Sequence, residues 1–239
     1  MELKLSRRLT MIAEMVTPGL SVSDIGCDHG LVSIYLVAEN IAKKVFAMDI
    51  VEGPLAAAKA NIEKFGYADK IETRLSNGFE RLAPGESECA IIAGMGGRLI
   101  IDILKGGLKL FVPGYELVLS PQSDVPAVRI FLREQGFEIV DEEMIIDEEK
   151  YYNIIKAVKR ADGYNPSDDQ LQEMYDFLGQ KLIEKKSPVL KLYLDKELEK
   201  KQGIYCRLSK KTGDNIIDRL SQLDHDILLM AKARDMLEK

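Results

Sequence analysis

Short β-branched and aliphatic runs alternate with helical patterns through about the first 160 residues, which predicts a parallel sheet built from βα units. Extended runs are predicted at 21–25, 44–48, 71–75, 89–93 and 116–119, and helices at 32–39, 54–65, 99–110 and 125–135. Pro54 follows Glu52-Gly53, and its fixed φ suits the first turn of a helix. Gly66 and Gly136 fall where helix C-caps are expected. The block closes differently. Segments 138–146 and 151–159 are both extended and are joined by the acidic Asp147-Glu148-Glu149-Lys150, so they read as an antiparallel pair at the sheet edge.

Segment 161–167, with Gly163, Asn165 and Pro166, is the linker candidate. Beyond it no β pattern survives. Ser167 with Asp168-Asp169 predicts the capped start of a helix running to about residue 186, and Pro188 restarts one. The last helix carries Ile216, Leu220, Leu223, Ile227, Met230, Arg234 and Leu237 at alternating spacings of four and three, an apolar seam interrupted by Arg234. That seam predicts a helical hairpin in which it pairs with Leu171, Met174, Leu178 and Leu182. A rigid recognition arm and a structural bundle or dimer contact account for it equally. The expected organisation is an α/β sheet domain over 1–162 with an antiparallel edge hairpin, followed by an all-helical, coiled-coil-like domain over 163–239.

Composition narrows the class. At 46% hydrophobic and 30% charged residues, the chain is too apolar to be disordered. No run approaches the roughly 18 apolar residues of a membrane span. Met1-Glu2-Leu3-Lys4-Leu5 lacks a signal-peptide core, so a soluble, cytoplasmic protein with no membrane partner is expected. Three cysteines without a C-x-x-C pair, and two histidines, argue against a disulfide framework and a metal centre. The net charge of -6 argues, taken whole, against a nucleic-acid partner. Its distribution changes that reading, because residues 181–211 hold ten basic side chains against four acidic ones. Clustered Lys and Arg can meet phosphates through counterion release, although most such runs are solvated helix faces.

The candidate chemistry is concentrated at strand ends. Asp24-Ile25-Gly26-Cys27-Asp28-His29-Gly30 follows the first strand, and a glycine-bearing turn there lets backbone approach a ligand closely. The dinucleotide fingerprint G-x-G-x-x-G fails, because Asp28 and Leu31 stand where its later glycines belong. A P-loop fails too, since no Lys-Ser/Thr follows. An acidic turn repels a pyrophosphate and suits a cationic cofactor such as S-adenosylmethionine, with its sulfonium and ammonium groups. A plain tight turn is the alternative.

Asp49, after the second strand, can accept both hydroxyls of a ribose. Ser76-Asn77-Gly78, after the third, can bind an adenine edge through Asn77, though Asn-Gly alone is also a simple turn. In order, these three strand ends offer groups for methionine, ribose and adenine. Ala93-Gly94-Met95-Gly96-Gly97 ends the fourth strand without the proline-flanked polar residue of many amino-methylating enzymes. Its glycines can let a flat base slide close while carbonyls accept from the amino group. Ser120-Pro121-Gln122-Ser123 adds polar groups to the same rim.

These residues resemble a known family. Asp-x-Gly-x-Asp-His at 24–29, Val51-Glu52-Gly53-Pro54, Asn77-Gly78 and above all Ile92-Ala93-Gly94-Met95-Gly96-Gly97 are similar to the bacterial tRNA (adenine-22-N1)-methyltransferases of the TrmK type. So are Leu5-Ser6-Arg7-Arg8-Leu9 and the helical C-terminal arm. The resemblance implies a Rossmann-like class I methyltransferase sheet, S-adenosylmethionine as cofactor, and methylation of a D-arm adenine in tRNA. It implies cofactor contacts at Gly26, Asp28, Asp49, Asn77, Gly78 and Gly94, joined by Asp24 and Gly30 of the same turn. The base pocket expected is Met95, Gly96, Gly97, Ser120 and Gln122. Where the family commonly has Gln-Pro-Asn this chain has Ser120-Pro121-Gln122, which passes orientation of the base to Gln122 or Ser120.

Ring nitrogen 1 of adenine already carries a lone pair, so catalysis can rest mainly on alignment. Positive charge arrives on the base, which makes Asp28 the first candidate for a catalytic carboxylate. His29 beside it either assists proton movement or is a structural donor of the turn. The target edge lies in a paired arm, so the base must be unstacked. Arg7, Arg8, Lys185, Lys186, Lys200 and Lys201 are the expected phosphate contacts, with a monomer or weak homodimer as the assembly. Two other readings stay open on the residues: a methyltransferase acting on another substrate, and a non-catalytic RNA-binding protein that retains the cofactor fold.

Overall fold

In the computed structural model, residues 3–162, 169–211 and 213–238 are described, and the chain divides into two units, Met1–Asn165 and Pro166–Lys239. The first is organised by one sheet of β1 (Leu20–Ile25), β2 (Ala42–Asp49), β3 (Ile71–Leu75), β4 (Cys89–Ala93), β5 (Glu116–Ser120), β6 (Phe137–Asp147) and β7 (Lys150–Lys159). Their spatial order is β3-β2-β1-β4-β5-β7-β6. Strands β1 to β5 are parallel, whereas β7 runs antiparallel to β5 and β6 to β7. The edge hairpin expected from the sequence is present, with β7 inside and β6 outermost.

Helices α1 (Arg7–Glu14), α2 (Leu31–Ala38) and α3 (Glu52–Phe65) pack with one core; α4 (Gly97–Gly107) and α5 (Val125–Glu134) pack with the other. The two-residue period of the strands feeds both. In β5, Val118 joins the cluster of Ile12, Ile34 and Ile62, while Leu117 and Leu119 join Ile100, Leu104 and Leu132. Burial on both faces is why the central strands read as apolar runs rather than alternating ones. The predicted helix at 99–110 starts at Gly97, ends at Gly107 and continues as a 3-10 turn, Leu108–Leu110. The edge hairpin is tied to α5 by a buried ion pair. Arg129 Nε donates to Glu142 Oε1 at 2.7 Å, and these side chains are 2% and 1% exposed.

The second unit comprises α6 (Asp169–Leu178), α7 (Gln180–Glu184), α8 (Pro188–Leu208) and α9 (Asp214–Glu238). The proposed cap at Ser167 and Asp168, and most of the linker, lie outside the described residues. The single helix expected to residue 186 is broken by Gly179, whose φ of 98° and ψ of 114° are not helical. Ser187 then caps α8 by accepting the Leu190 N–H, and Pro188 takes the first turn. The seam partner also differs from expectation. Helix α9 makes its main hairpin with α8, through Leu190, Leu194 and Leu198, while α6 and α7 add Met174, Leu178 and Leu182 as secondary contacts and Leu171 is only half-buried. Leu223, Met230, Ala233 and Leu237 are the buried positions of α9. Arg234 faces outward to Asp195 at 2.6 Å, so Ala233 takes the inner position. Among the described residues, no helix is long and apolar enough to cross a membrane.

Candidate active site

The chain runs outward from β1 to β3 and then returns to lay β4 on the other side of β1, which makes a topological switch point between β1 and β4. A cavity of about 500 Å³ opens there, at the carboxyl ends of the parallel strands. From β1 comes Asp24, buried and accepting the Ser33 hydroxyl at 2.7 Å. Burial pushes its pKa up to about 6, with the Asp49 charge adding to the rise and the Ser33 bonds opposing it. Gly26 follows at φ 75°; a Cβ there would lie 2.2 Å from the Met95 methyl group, so glycine lets Met95 lie across the turn.

Asp28 adopts a left-handed conformation, φ 50°, and its side chain is largely exposed. His29 Nε2 lies 3.6 Å from Asp28 Oδ1, and Asn61 donates to the His29 carbonyl at 3.0 Å. Asp49 joins the first two strand ends: Oδ2 accepts the Asp28 N–H at 3.2 Å, and Oδ1 accepts the Val51 N–H at 2.9 Å. Each carboxylate oxygen keeps acceptor capacity for a further partner. At the third strand end, Ser76 donates to the Gly78 carbonyl and accepts the Arg81 N–H, while Asn77 donates to Glu80 at 3.0 Å. Ile50, Leu99 and Ile103 line the same cavity, and Ile50 and Leu99 are exposed at 63% and 52%, an apolar lip suited to a flat ring.

Every residue expected to hold the cofactor lines this cavity except Gly30, and so do His29, Met95 and Gln122. Gly30 instead starts α2, where a Cβ would meet the Ala58 Cβ at 3.1 Å, so it serves the close packing of α2 and α3. Gly96 and Gly97 form the start of α4; a Cβ on Gly97 would sit 2.4 Å from the Ser123 carbonyl. Ser120 is fully buried at the end of β5, its hydroxyl without a hydrogen-bond partner. None of these four lines the cavity.

The basic candidates separate as well. Arg7 is exposed, but Arg8 turns inward: its guanidinium lies 5.0 Å from the centre of the Tyr152 ring and reaches the cavity wall. In the second unit, Lys201 pairs with Asp226 at 2.7 Å and Lys200 with Glu197 at 3.1 Å, and the Lys185 and Lys186 side chains lie exposed at the α7–α8 junction.

A family model described as a methyltransferase domain matches residues 5–155. The tRNA (adenine(22)-N(1))-methyltransferase of Bacillus subtilis is 32% identical over 210 residues, covering 87% of both chains. The chain belongs to this methyltransferase family. The solved structure of the Bacillus subtilis m1A22 tRNA methyltransferase TrmK superposes with a TM-score of 0.86 at 29% identity, over 98% of this chain and 100% of that one. That of Mycoplasma capricolum TrmK, in complex with S-adenosyl-homocysteine, gives 0.83 at 28% identity, over 98% and 99%. Against this family background, the polar cavity residues were legible as strand-end motifs. The apolar lip was not. Ile50 and Leu99 carry no motif, although Leu99 and Ile103 stand four apart on α4, the spacing that puts two side chains on one helix face.

Proposed function

We propose that the chain transfers a methyl group from S-adenosyl-L-methionine to ring nitrogen 1 of adenine 22, in the D-arm region of tRNA. The observation that carries this reading is the glycine-bearing acidic turn at the β1/β4 switch point, where Asp24, Asp28 and Asp49 face one cavity. The cavity fits this cofactor: a buried carboxyl with a raised pKa awaits a cation, and left-handed glycines at Gly26, Gly78 and Gly94 keep the walls free of side chains. When bound, the cofactor supplies an electrophilic methyl group on a sulfonium. Asp24 holds its ammonium, Asp49 accepts from its ribose, and Asn77 with the Ile50, Leu99 and Ile103 lip holds its adenine. Met95 and Gln122 border the position of the target base, and Gln122 is fixed there by donating its N–H to the Met95 carbonyl at 2.9 Å. Asp28 favours the positive charge that arrives on the base.

Arg7, Lys185 and Lys186 meet tRNA phosphates; Lys200 and Lys201 do so by exchanging Glu197 and Asp226 for phosphate. The chain works in the cytoplasm as a monomer or weak homodimer; the monomer reading is supported by Leu223, Met230 and Leu237 of the α9 seam being buried within their own chain, with Ile216, Leu220 and Ile227 half-buried. Labelled methyl transfer to unmodified tRNA, mapped by primer extension, tests the activity. A cofactor-dependent stop in the D-arm is expected, because a methyl group on the Watson–Crick edge blocks reverse transcription. Transfer without a stop would move the target atom elsewhere.

Asp24 also predicts a pH dependence. Its pKa is raised from 3.8 to about 6 in the free protein, so its contribution to folding stability is present below 3.8 and is lost as pH rises toward 6. Binding an ammonium has the opposite preference, since it needs the ionised carboxylate. Affinity for S-adenosylhomocysteine is therefore expected to fall roughly tenfold per pH unit below about 6 and to level off above it. Titration calorimetry from acid to neutral pH checks this; a flat profile would remove Asp24 from ammonium binding.

A further inference from the structure

The connection from β3 to β4 is built differently from the others between the parallel strands. Such strands are ordinarily joined through a crossover helix, but residues 76–88 hold none, and this segment carries Ser76, Asn77 and Gly78 to the cavity. Arg74, on β3, organises it from outside the cavity. Its mostly buried guanidinium lies over the Phe46 ring at 4.4 Å, and Nε donates to Glu72 at 2.8 Å. Nη1 donates to the Arg81 carbonyl at 2.7 Å, while Nη1 and Nη2 take the two Glu86 oxygens at 2.7 and 2.8 Å. Glu86 also accepts the Ala83 N–H at 2.7 Å. The Arg74 bonds, and then this N–H, hold its carboxyl down to about 2, so the clamp stays ionised through the neutral range.

The clamp reaches the cavity through one hydroxyl. The N–H of Arg81, whose carbonyl Arg74 holds, donates to Ser76 Oγ at 3.2 Å, and Ser76 Oγ donates to the Gly78 carbonyl at 2.9 Å. Gly78 takes a left-handed φ of 56°, and the N–H groups of Asn77, Gly78 and Phe79 have no acceptor among the described residues. Asn77 Nδ2 donates to Glu80 at 3.0 Å, which fixes the amide and leaves Oδ1 to accept. The turn therefore offers donors and an acceptor side by side. Adenine presents the complement, a ring nitrogen that accepts and an amino group that donates. Hypoxanthine presents an N–H and a carbonyl at the same two positions, so both contacts would be left unpaired.

We propose that Arg74 is a positioning residue: through Arg81, Glu86 and Ser76 it sets the turn at 76–78 so that the site chooses adenine over other purines in its cofactor. This rests on the cofactor reading above. An ion pair serving stability alone is the poorer account, because Nη1 also grips a backbone carbonyl whose own residue is bonded to the turn.

Equilibrium binding of two ligands to wild type, Arg74→Met, Arg74→Lys and Ser76→Ala tests the assignment without turnover. The ligands are S-adenosylhomocysteine and S-inosylhomocysteine, which differ only in the purine edge. Wild type is expected to prefer the adenine ligand about 10- to 100-fold. Arg74→Met should bring that preference to within about threefold, chiefly by weakening S-adenosylhomocysteine. Ser76→Ala, which cuts the next link, should do the same. Arg74→Lys should keep part of the preference, as a charge without the planar fork. Equal losses on both ligands, with the preference kept, would make Arg74 structural and overturn the proposal. A collapse in Ser76→Ala with none in a folded Arg74→Met would overturn it too, as would a wild type without preference. If wild type bound neither ligand, the cofactor reading itself would fall.

Discussion

Asp28→Asn is expected to slow methyl transfer to tRNA by about a hundred- to a thousandfold while the protein stays folded. Asn is the informative replacement because Asp28 has a φ of 50°, a left-handed conformation that Asn tolerates and Ala does not. The backbone N–H that donates to Asp49 is unchanged by the substitution, so the turn keeps its tie to the second strand. What is lost is one negative charge at the cavity mouth, where the methylated base gains a positive one. That carboxylate faces water in the free protein, and its influence grows when a base displaces that water. Single-turnover kinetics with saturating cofactor, alongside S-adenosylhomocysteine binding, separates the roles. Near wild-type turnover would remove Asp28 from the chemistry. Weaker ligand binding with an unchanged single-turnover rate would place the carboxylate on the cofactor instead. Asp28→Ala should lose at least as much activity and add strain to the turn.

Glu142→Ala is expected to cost about 3–5 kcal/mol of stability. The substitution removes the carboxylate to which Arg129 Nε donates, at a guanidinium that is 2% exposed and also lies 3.3 Å from the Asn153 side-chain oxygen. Replacing both partners, as Arg129→Met with Glu142→Leu, should recover most of the loss, because a well-packed apolar pair avoids desolvating two charges. Urea denaturation of the full chain followed by circular dichroism measures both. A loss under about 1 kcal/mol for Glu142→Ala would show that water or neighbouring groups already solvate Arg129. The pair also matters for the site, since the hairpin it anchors is the one that carries Tyr152 and Asp147 to Arg8.

How much of this was visible beforehand depends on whether a feature is local. The βα alternation could be read because each buried strand is a short apolar run and each helix has its own period. The hairpin 138–146 and 151–159 could be read because two extended segments joined by a four-residue turn have little choice of partner. Strand ends carrying Asp24, Asp49 and Asn77 announced the cavity, since a switch-point fold always opens on the carboxyl side of its strands. Gly30, Gly96 and Gly97 belong to the same motifs, yet they serve helix packing, and a motif string does not distinguish a glycine that faces a ligand from one that faces a helix.

Arg8 shows the limit most clearly. Its i+4 and i+7 neighbours are Ile12 and Met15, both buried, so it stands on the inward face of α1. That spacing was available in the sequence, but a basic residue near the N-terminus reads first as a surface charge. The break at Gly179 was concealed in the same way, because an isolated glycine lowers helix propensity without stating whether the helix yields.

The sequence by itself determined the fold class, the order of elements, the acidic character of the turn after β1 and the helical nature of the tail, because these follow from local period and from strand-end chemistry. Only the tertiary structure decided which charges are buried and which helix fills the seam of α9. Glu142 and Arg129 come from different elements, as do Arg8 and Tyr152, and Leu198 and Leu223. Such pairings depend on how strands and helices are placed in three dimensions, and the free energy that selects them lies in desolvation and packing between residues far apart in the chain.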